Sequence, residues 1–439
     1  MHDLSRRVFV KRGALALLAL GLPPRFLPRA LLAETPNARK KTIVCIFQRG
    51  AVDGLNMVVP FGEQAYYRNR RAIAVPAPGG VRTAIDLDGF FGLHPSLSQL
   101  QELWGRKELA IIHAVGSPHP TRSHFEAQDY METAAPGSAV SDGWLNRVLQ
   151  DTGCAECSGR TLADGAAHAA DHAAGQLALA TSPFRGVAMT QALPRALQGR
   201  SAALAIPDLE RFGIANGSDP ALESTFARLY GTDSGDAVAA AGSDAFEAMT
   251  ILKNLEPGRY RPRAGVTYPA GDFGKSLRQI AQLIKADVGL EIAFTDIKGW
   301  DTHSNQGAAT GALATRLTEL SRGMRALYDD LDDRAEDVVI LTMSEFGRTV
   351  AENGSGGTDH GHANCMFVLG GNVSGGRIHG RWPGLEREQL YEGRDLELTT
   401  DFRDVFAEVA ATHLGATGLD RVFPDYAVDR SRFFGLVQA

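Results

Sequence analysis

Five short apolar runs set the strongest limit on what this 439-residue chain can fold into. They are KTIVCIFQ (Lys41 to Gln48), LAIIHAV (Leu109 to Val115), VGLEIAFT (Val288 to Thr295), DVVILTM (Asp337 to Met343) and CMFVL (Cys365 to Leu369). Each is too short for a core helix and lacks the polar alternation of a half-exposed strand, so each reads as a strand buried on both faces. Helical patterns alternate with them. Leu277, Ile280, Leu283 and Ile284 fall on one helical face, as do Leu313, Leu317, Leu320, Met324, Leu327 and Leu331, and then Phe402, Val405, Phe406 and Val409. Buried strands alternating with amphipathic helices predict an α/β fold with a mostly parallel central sheet covered on both faces. Ligands of such sheets bind beyond the carboxyl ends of the strands, so the residues just after each run are the candidates for chemistry.

The chain ahead of the first run has a different character. SRRVFVK (Ser5 to Lys11) sets twin arginines before an aromatic and a lysine, and GALALLALGL (Gly13 to Leu22) is apolar but too short to span a bilayer; Pro23, Pro24 and Pro28 close it. The pattern predicts a twin-arginine export signal over residues 1–33, cleaved after Ala33, and a periplasmic or secreted product with no stable membrane anchor. The folded domain is then expected over residues 40–439. Export of an already folded chain is compatible with a metal inserted beforehand.

Net charge is -6 and the basic residues are scattered, with no Lys/Arg stripe interleaved with aromatics, which argues against nucleic acid as a partner. Four cysteines (Cys45, Cys154, Cys157, Cys365) are few for a disulfide scaffold, and CAEC (Cys154 to Cys157) lacks the second pair that a zinc ribbon needs. From about residue 154 to 271 Ala, Gly and Ser dominate, HAADH (His168 to His172) sits in bland surroundings, and Phe246 to Leu255 has a helical pattern. This stretch is expected to be a helical insertion or cap that does not build the sheet.

Polar clusters fall near the strand ends. DGLN (Asp53 to Asn56) follows the first run and reads either as a turn or as a close approach to a ligand. SPHPTRSHFE (Ser117 to Glu126) opens a helix; Ser123 with Glu126 has capping-box spacing, and a hydroxyl there also sits in positive potential beside free backbone N–H groups. Arg122 and His124 add anion-binding capacity, whereas His119 between two prolines reads as a loop residue. GWDTHSNQ (Gly299 to Gln306) places Asp301 and His303 two apart, on one side of an extended chain. SEFGRT (Ser344 to Thr349) ends a strand with Glu345, which either binds a cation or pairs with Arg348. GTDHGHAN (Gly357 to Asn364) is the most specific of the set: Asp359, His360 and His362 in four residues suit zinc, manganese or iron, with an exposed turn as the alternative.

Together Asp53, Asp301, His303, Glu345, Asp359, His360 and His362 are expected at one sheet edge, where so many carboxylates repel unless a divalent metal (zinc, manganese or calcium) neutralises them. The leader, DGLN, TRSH (Thr121 to His124), GWDTHS, SEFGR and GTDHGH resemble, in that order, an uncharacterised family of twin-arginine-exported bacterial proteins related to the alkaline phosphatase and sulfatase superfamily. The resemblance covers nearly everything after the signal and is weaker across the Ala-rich middle.

What it implies is an alkaline-phosphatase-like three-layer α/β sandwich and hydrolysis of phosphate or sulfate esters. By motif, Asp53 takes the first metal position, Ser123 (with Thr121 as alternative) the nucleophile's, Asp301 with His303 the third, and His360 or His362 the last. The implied substrate is a small-molecule or polymer ester. One departure stands out: SEFG (Ser344 to Gly347) replaces the superfamily's usual Ser-Asp-His-Gly, and Phe346 cannot bind a cation. Asp301 and His303 are also closer than the usual Asp-x-x-x-His. The same resemblance therefore carries a second expectation, a catalytically degenerate metal-containing binding or assembly protein, and a third, a component of an exported multi-protein system.

Overall fold

All five apolar runs are strands of one sheet. The computed structural model describes residues 39–153, 182–212 and 244–438, apart from residues 246, 250 and 254. The expected export signal, Cys154, Cys157 and HAADH lie outside the described residues. The strands in chain order are β1 (Thr42–Arg49), β2 (Val58–Val59), β3 (Ile85–Asp86), β4 (Gly92–Leu93), β5 (Leu109–Gly116), β6 (Gly186–Ala188), β7 (Leu204–Ala205), β8 (Ile292–Lys298), β9 (Val338–Met343), β10 (Asn364–Leu369), β11 (Ile378–His379) and β12 (Thr400–Asp401).

Nine of them form the main sheet in the order β11-β5-β10-β9-β1-β8-β6-β7, with β12 also paired to β5. β2, β4 and β3 make a small separate sheet. In the main sheet β1 pairs in parallel with β8 and β9, and β10 is antiparallel to both β9 and β5. β10 is thus the strand that runs against the rest. Its amino end lies at the same edge as the carboxyl ends of β1, β5, β8 and β9, so a segment entering β10 meets the loops leaving the other four.

Alternation along the strands explains the layers. Val44 and Ile46 of β1 pack with Leu277, Ile280, Leu313 and Leu317, which belong to the helices Asp272–Lys285 and Ala312–Leu331. Ile43, Cys45 and Phe47 face the other way, toward Trp144, Val148, Phe402 and Phe406 of the helices Trp144–Gly153 and Phe402–His413. Trp144 stacks on Phe406 at 4.3 Å between ring centroids, filling the second layer with broad aromatic surface. The fold is therefore α/β, with a mostly parallel central sheet between two helical layers, as the alternation of runs and helical faces predicts.

One expectation is corrected. β6 and β7 fall inside the Ala- and Gly-rich stretch, yet β6 pairs in parallel with β8 and β7 with β6, extending the sheet. These strands of three and two residues carry too little apolar periodicity to be read from sequence. Within the same stretch, the described positions between residues 244 and 255 are helical. Cys45 and Cys365 are buried and free. Among the described residues no helix is long and apolar enough to cross a membrane.

Candidate metal centre

Four loops and the lead into β10 interlock at the shared edge. Arg348, fully buried, is their hub: it donates to the carbonyls of Ala51 (2.7 Å) and Gly50 (2.6 Å) after β1, of Trp300 (3.2 Å) after β8 and of Thr358 (3.1 Å) before β10. Its remaining partner is Asp301 Oδ1 at 2.6 Å. Gly50 has φ +115°, and a Cβ there would lie 2.8 Å from the Asp301 backbone nitrogen, so the first and third loops touch through glycine. Gly357 is just as confined, because a Cβ would collide with the carbonyl of Thr302 and with His303.

On this frame three imidazoles and a carboxylate converge. Nε2 of His360 lies 3.0 Å from Nε2 of His124 and 3.0 Å from Nε2 of His303. Asp301 Oδ1 is 3.0 Å from His303 Nε2 and 3.4 Å from His360 Nε2, and its Oδ2 is 3.7 Å from His124 Nε2. Donor atoms of His124, Asp301 and His360 all lie within 4.8 Å of one another.

The other ring nitrogens fix what those Nε2 atoms can do. His124 Nδ1 faces Glu345 Oε1 at 2.8 Å, His360 Nδ1 faces the Arg122 carbonyl at 2.8 Å, and His303 Nδ1 faces Asp359 Oδ1 at 3.1 Å. An oxygen acceptor holds the ring proton on Nδ1, so each Nε2 presents its lone pair inward. The lone pairs of His124 and His303 then both face that of His360, beside the Asp301 carboxylate. A single added proton bridges one of those two pairs and leaves the other opposed.

The surrounding charges sharpen the set. The hydrogen bond to Glu345 raises His124 above an ordinary imidazole against the pull of burial, while burial lowers His360. Burial pushes Asp301 upward, but the hydrogen bond and charge of Arg348 outweigh it and hold the carboxyl below its usual range. Glu345 is fully buried; burial pushes it upward too, and the hydrogen bonds from His124, Gln128 and the Gly50 N–H hold it ionised.

Two imidazole nitrogens and one carboxylate, from His124, His360 and Asp301, are a donor set that suits a divalent ion, and ligand atoms about 2.0–2.1 Å from such an ion stand about 3.3 Å apart, close to the 3.0 Å between His124 and His360. His303 borders this set through His360 and Asp301, each at 3.0 Å. Imidazoles whose second nitrogen is held by a carboxylate or a backbone carbonyl are the usual second layer of metal sites.

Sequence comparison adds the wider context. Residues 40–426 match the family described as "Protein of unknown function (DUF1501)", a span that covers most of the chain. The chain belongs to that family. No curated protein matches it. Solved structures similar to it include Ps i-CgsB in complex with k-i-k-neocarrahexaose, at 10% identity and TM-score 0.39, covering 88% of this chain and 74% of that one. The PsFucS1 sulfatase from Pseudoalteromonas sp. is similar at 12% identity and TM-score 0.33 over 81% of this chain and 68% of its own. The lipoteichoic acid synthase LtaP from Listeria monocytogenes is similar at 9% identity and TM-score 0.34 over 88% and 75%.

Within this DUF1501 chain, the residues singled out from sequence divide into three groups. Asp301, His303 and His360 converge with His124, while Glu345 and Asp359 stand behind two of the imidazoles. Asp53 is apart: its Oδ2 accepts from Arg70 at 2.6 Å and from Gln306 at 2.6 Å, all three side chains being buried. His362 is also apart, its ring stacked 4.3 Å from that of Tyr391. Gly361 lies between the two imidazoles, where a Cβ would stand 2.4 Å from the Arg348 backbone carbonyl carbon.

The helix start differs from its expected form. Thr121, not Ser123, makes the contact with Glu126 (2.5 Å) and accepts the Ser123 N–H (3.2 Å). Ser123 stands at the N-cap of the helix His124–Thr133, exposed and without a side-chain capping bond. The guanidinium of Arg122 is held by Asp395 and Glu392, each at 2.7 Å, and its carbonyl supports His360. Glu345 pairs with His124, so the alternative Glu345–Arg348 pair is not formed. Phe346 packs against the rings of His124 and His360, at 5.0 Å from each.

Sequence reading missed the central place of His124 and the buried Arg70. TRSH before an apolar-poor helix carried the first signal, since a ring at the first helical position faces whatever the helix start faces. Arg70 carried none.

Proposed function

We propose that this protein is an exported metal-dependent hydrolase of phosphate or sulfate esters on an alkaline-phosphatase-like scaffold. The observation that carries the reading is the inward convergence of the His124, His303 and His360 Nε2 atoms with Asp301, each ring locked by an oxygen on its far side. Three nitrogens and one carboxylate favour zinc; calcium takes six to eight oxygens and fits this set poorly. A bound divalent ion would polarise the ester and offset charge developing on its oxygens.

The protein's own residues supply the rest. Glu345 and the Arg122 carbonyl keep His124 and His360 in the metal-binding tautomer, and Arg348 holds Asp301 ionised. The amino end of the helix His124–Thr133 supplies positive potential and free N–H groups for an anionic oxygen. Ser123, exposed and without a cap bond, is the nucleophile of this reading. Export by the twin-arginine route to the periplasm or medium, as the first residues predict, belongs to the same proposal.

The test is direct. Purified protein should carry metal by elemental analysis and cleave a member of an aryl phosphate and sulfate panel, and Ser123→Ala should retain the metal while losing turnover. Turnover unchanged in Ser123→Ala moves the nucleophile elsewhere.

A second reading rests on a different observation: His303 stands 3.0 Å from both His360 and Asp301, so that it could close the three-donor set as a fourth ligand, which is the habit of structural zinc sites. Under it the protein is a catalytically degenerate binding or assembly component. Metal content without hydrolysis of any panel member favours that reading.

A further inference from the structure

The four donors are not equally held. His124 leans on Glu345, which is 0% exposed and also accepts from the Gly50 N–H (2.8 Å) and Gln128 (2.9 Å). His360 leans on a backbone carbonyl, and both rings pack on buried Phe346. Asp301 is bound to Arg348, whose side chain is 0% exposed. His303 is different, not in its own exposure of 44%, which the 46% of Asp301 matches, but in its support: its Nδ1 partner Asp359 is 57% exposed. Asp359 is in turn held by Asn353, in a hydrogen bond exposed to solvent. Exposed pairs of this kind hold a side chain weakly, because water competes for both partners.

The backbone at His303 is nevertheless anchored. Its carbonyl accepts from Asn353 at 2.9 Å, and the Asn305 N–H donates to Ser355 at 3.0 Å. The ring can therefore swing by side-chain rotation alone, on the nanosecond scale of exposed rotamers, with no loop rearrangement.

We infer that His303 is the exchangeable member of the set, the imidazole that yields its place to an incoming anionic donor while His124, Asp301 and His360 remain. This rests on the metal reading above and deepens it. Three fixed protein donors plus a vacatable position is the arrangement of catalytic rather than structural zinc sites, and rotation of the His303 ring away from His360 and Asp301 clears that position. The exchange trades one lone-pair donor for another and consumes no proton or electron. The incoming donor is anionic and small enough to pass the exposed rim, as an ester's phosphoryl or sulfuryl oxygen is.

Cobalt(II) and azide test this without turnover. Metal-depleted wild-type protein, His303→Ala and His360→Ala are each titrated with cobalt(II), whose visible absorption reports coordination number, and then with azide; thermal melting checks that each variant folds. His303→Ala should still bind one cobalt(II) per chain, at least about tenfold more tightly than His360→Ala. It should take up azide at least about tenfold more tightly than wild type, whose own ring competes for the position. Cobalt(II) lost equally from both variants, or azide affinity the same in His303→Ala as in wild type, overturns the inference and leaves the metal reading intact. Wild-type protein that binds no cobalt(II) overturns both. A His360→Ala chain that fails to fold is replaced by His124→Gln, for which the same ordering is expected.

Discussion

Replacing Arg70 by Met probes the assignment of Asp53 as an anchor rather than a donor to the metal set. The two side chains are 0% and 1% exposed and meet at 2.6 Å. The same guanidinium donates to the carbonyls of Val350 and Thr349, each at 2.9 Å, and to Asn56 Oδ1 at 2.7 Å. Met keeps much of the volume and none of the charge. The Asp53 carboxylate would then be left with Gln306 alone, on a group whose Oδ1 has no hydrogen-bond partner.

Breaking a buried pair from one side costs about 3–5 kcal/mol. Each carbonyl that loses its donor in a dry site adds about 1–3 kcal/mol, so the loss for Arg70→Met should be at least about 4 kcal/mol. Asp53→Asn breaks the same pair from the other side but leaves Arg70 its three other acceptors, so its cost should lie at the low end of the range for a broken buried pair, about 3 kcal/mol. The double variant should be more stable than Arg70→Met, giving a coupling of at least about 2 kcal/mol between the two sites. Urea unfolding at pH 7, followed by circular dichroism at unchanged m, measures the three shifts. Metal content should be the same in Asp53→Asn as in wild type. A shift under about 1 kcal/mol for Arg70→Met, against the range for a broken buried pair, refutes the ledger of this site. Asp53→Asn that releases metal at an unmoved midpoint returns Asp53 to the ligand set.

Glu345→Gln removes the carboxylate that fixes the His124 tautomer while keeping the side-chain volume; metal affinity by competition with a chelator should fall about 10–100-fold, with little change in fold by circular dichroism. The buried imidazoles away from the site predict a pH dependence. Burial lowers His113, His379 and His413 from 6.5 to about 4. Between those values the unfolded chain binds the protons and the native chain does not, so stability is full above pH 6.5 and is lost as pH falls toward 4. The effect is on the order of 3 kcal/mol each for His113 and His413 and smaller for His379, which solvent screens more. His379 has an unpartnered Nε2, and His379→Leu should reduce the slope of stability against pH in that window by about 1.4 kcal/mol per unit, measured from urea midpoints.

The frame of the fold was legible because buried parallel strands leave a signature that few other elements share: short, continuous and apolar. DVVILTM and CMFVL were found within one residue of their observed ends. Residues after such strands could be assigned to one edge by topology alone, which is why Asp301 and His303 were found there; His360 precedes its strand and reaches the same edge because β10 is antiparallel. A strand end does not disclose what lies opposite it, however. Asp53 reads the same whether it faces an ion or a buried guanidinium contributed 17 residues later. His362 differs from His360 through its stacking partner Tyr391, which has no periodic signature. His124 was read as a helix-start cation because the sequence shows the ring's position on the helix but not the Glu345 behind it.

The direction of β10 has a consequence for how the molecule comes into being. In the sheet this strand alone bridges β5 to β9, and the segment entering it brings His360. A nascent chain stopped short of that point lacks both the keystone of its sheet and His360. On the proposed metal reading, the donor set is complete only once more than four-fifths of the polypeptide has been synthesised.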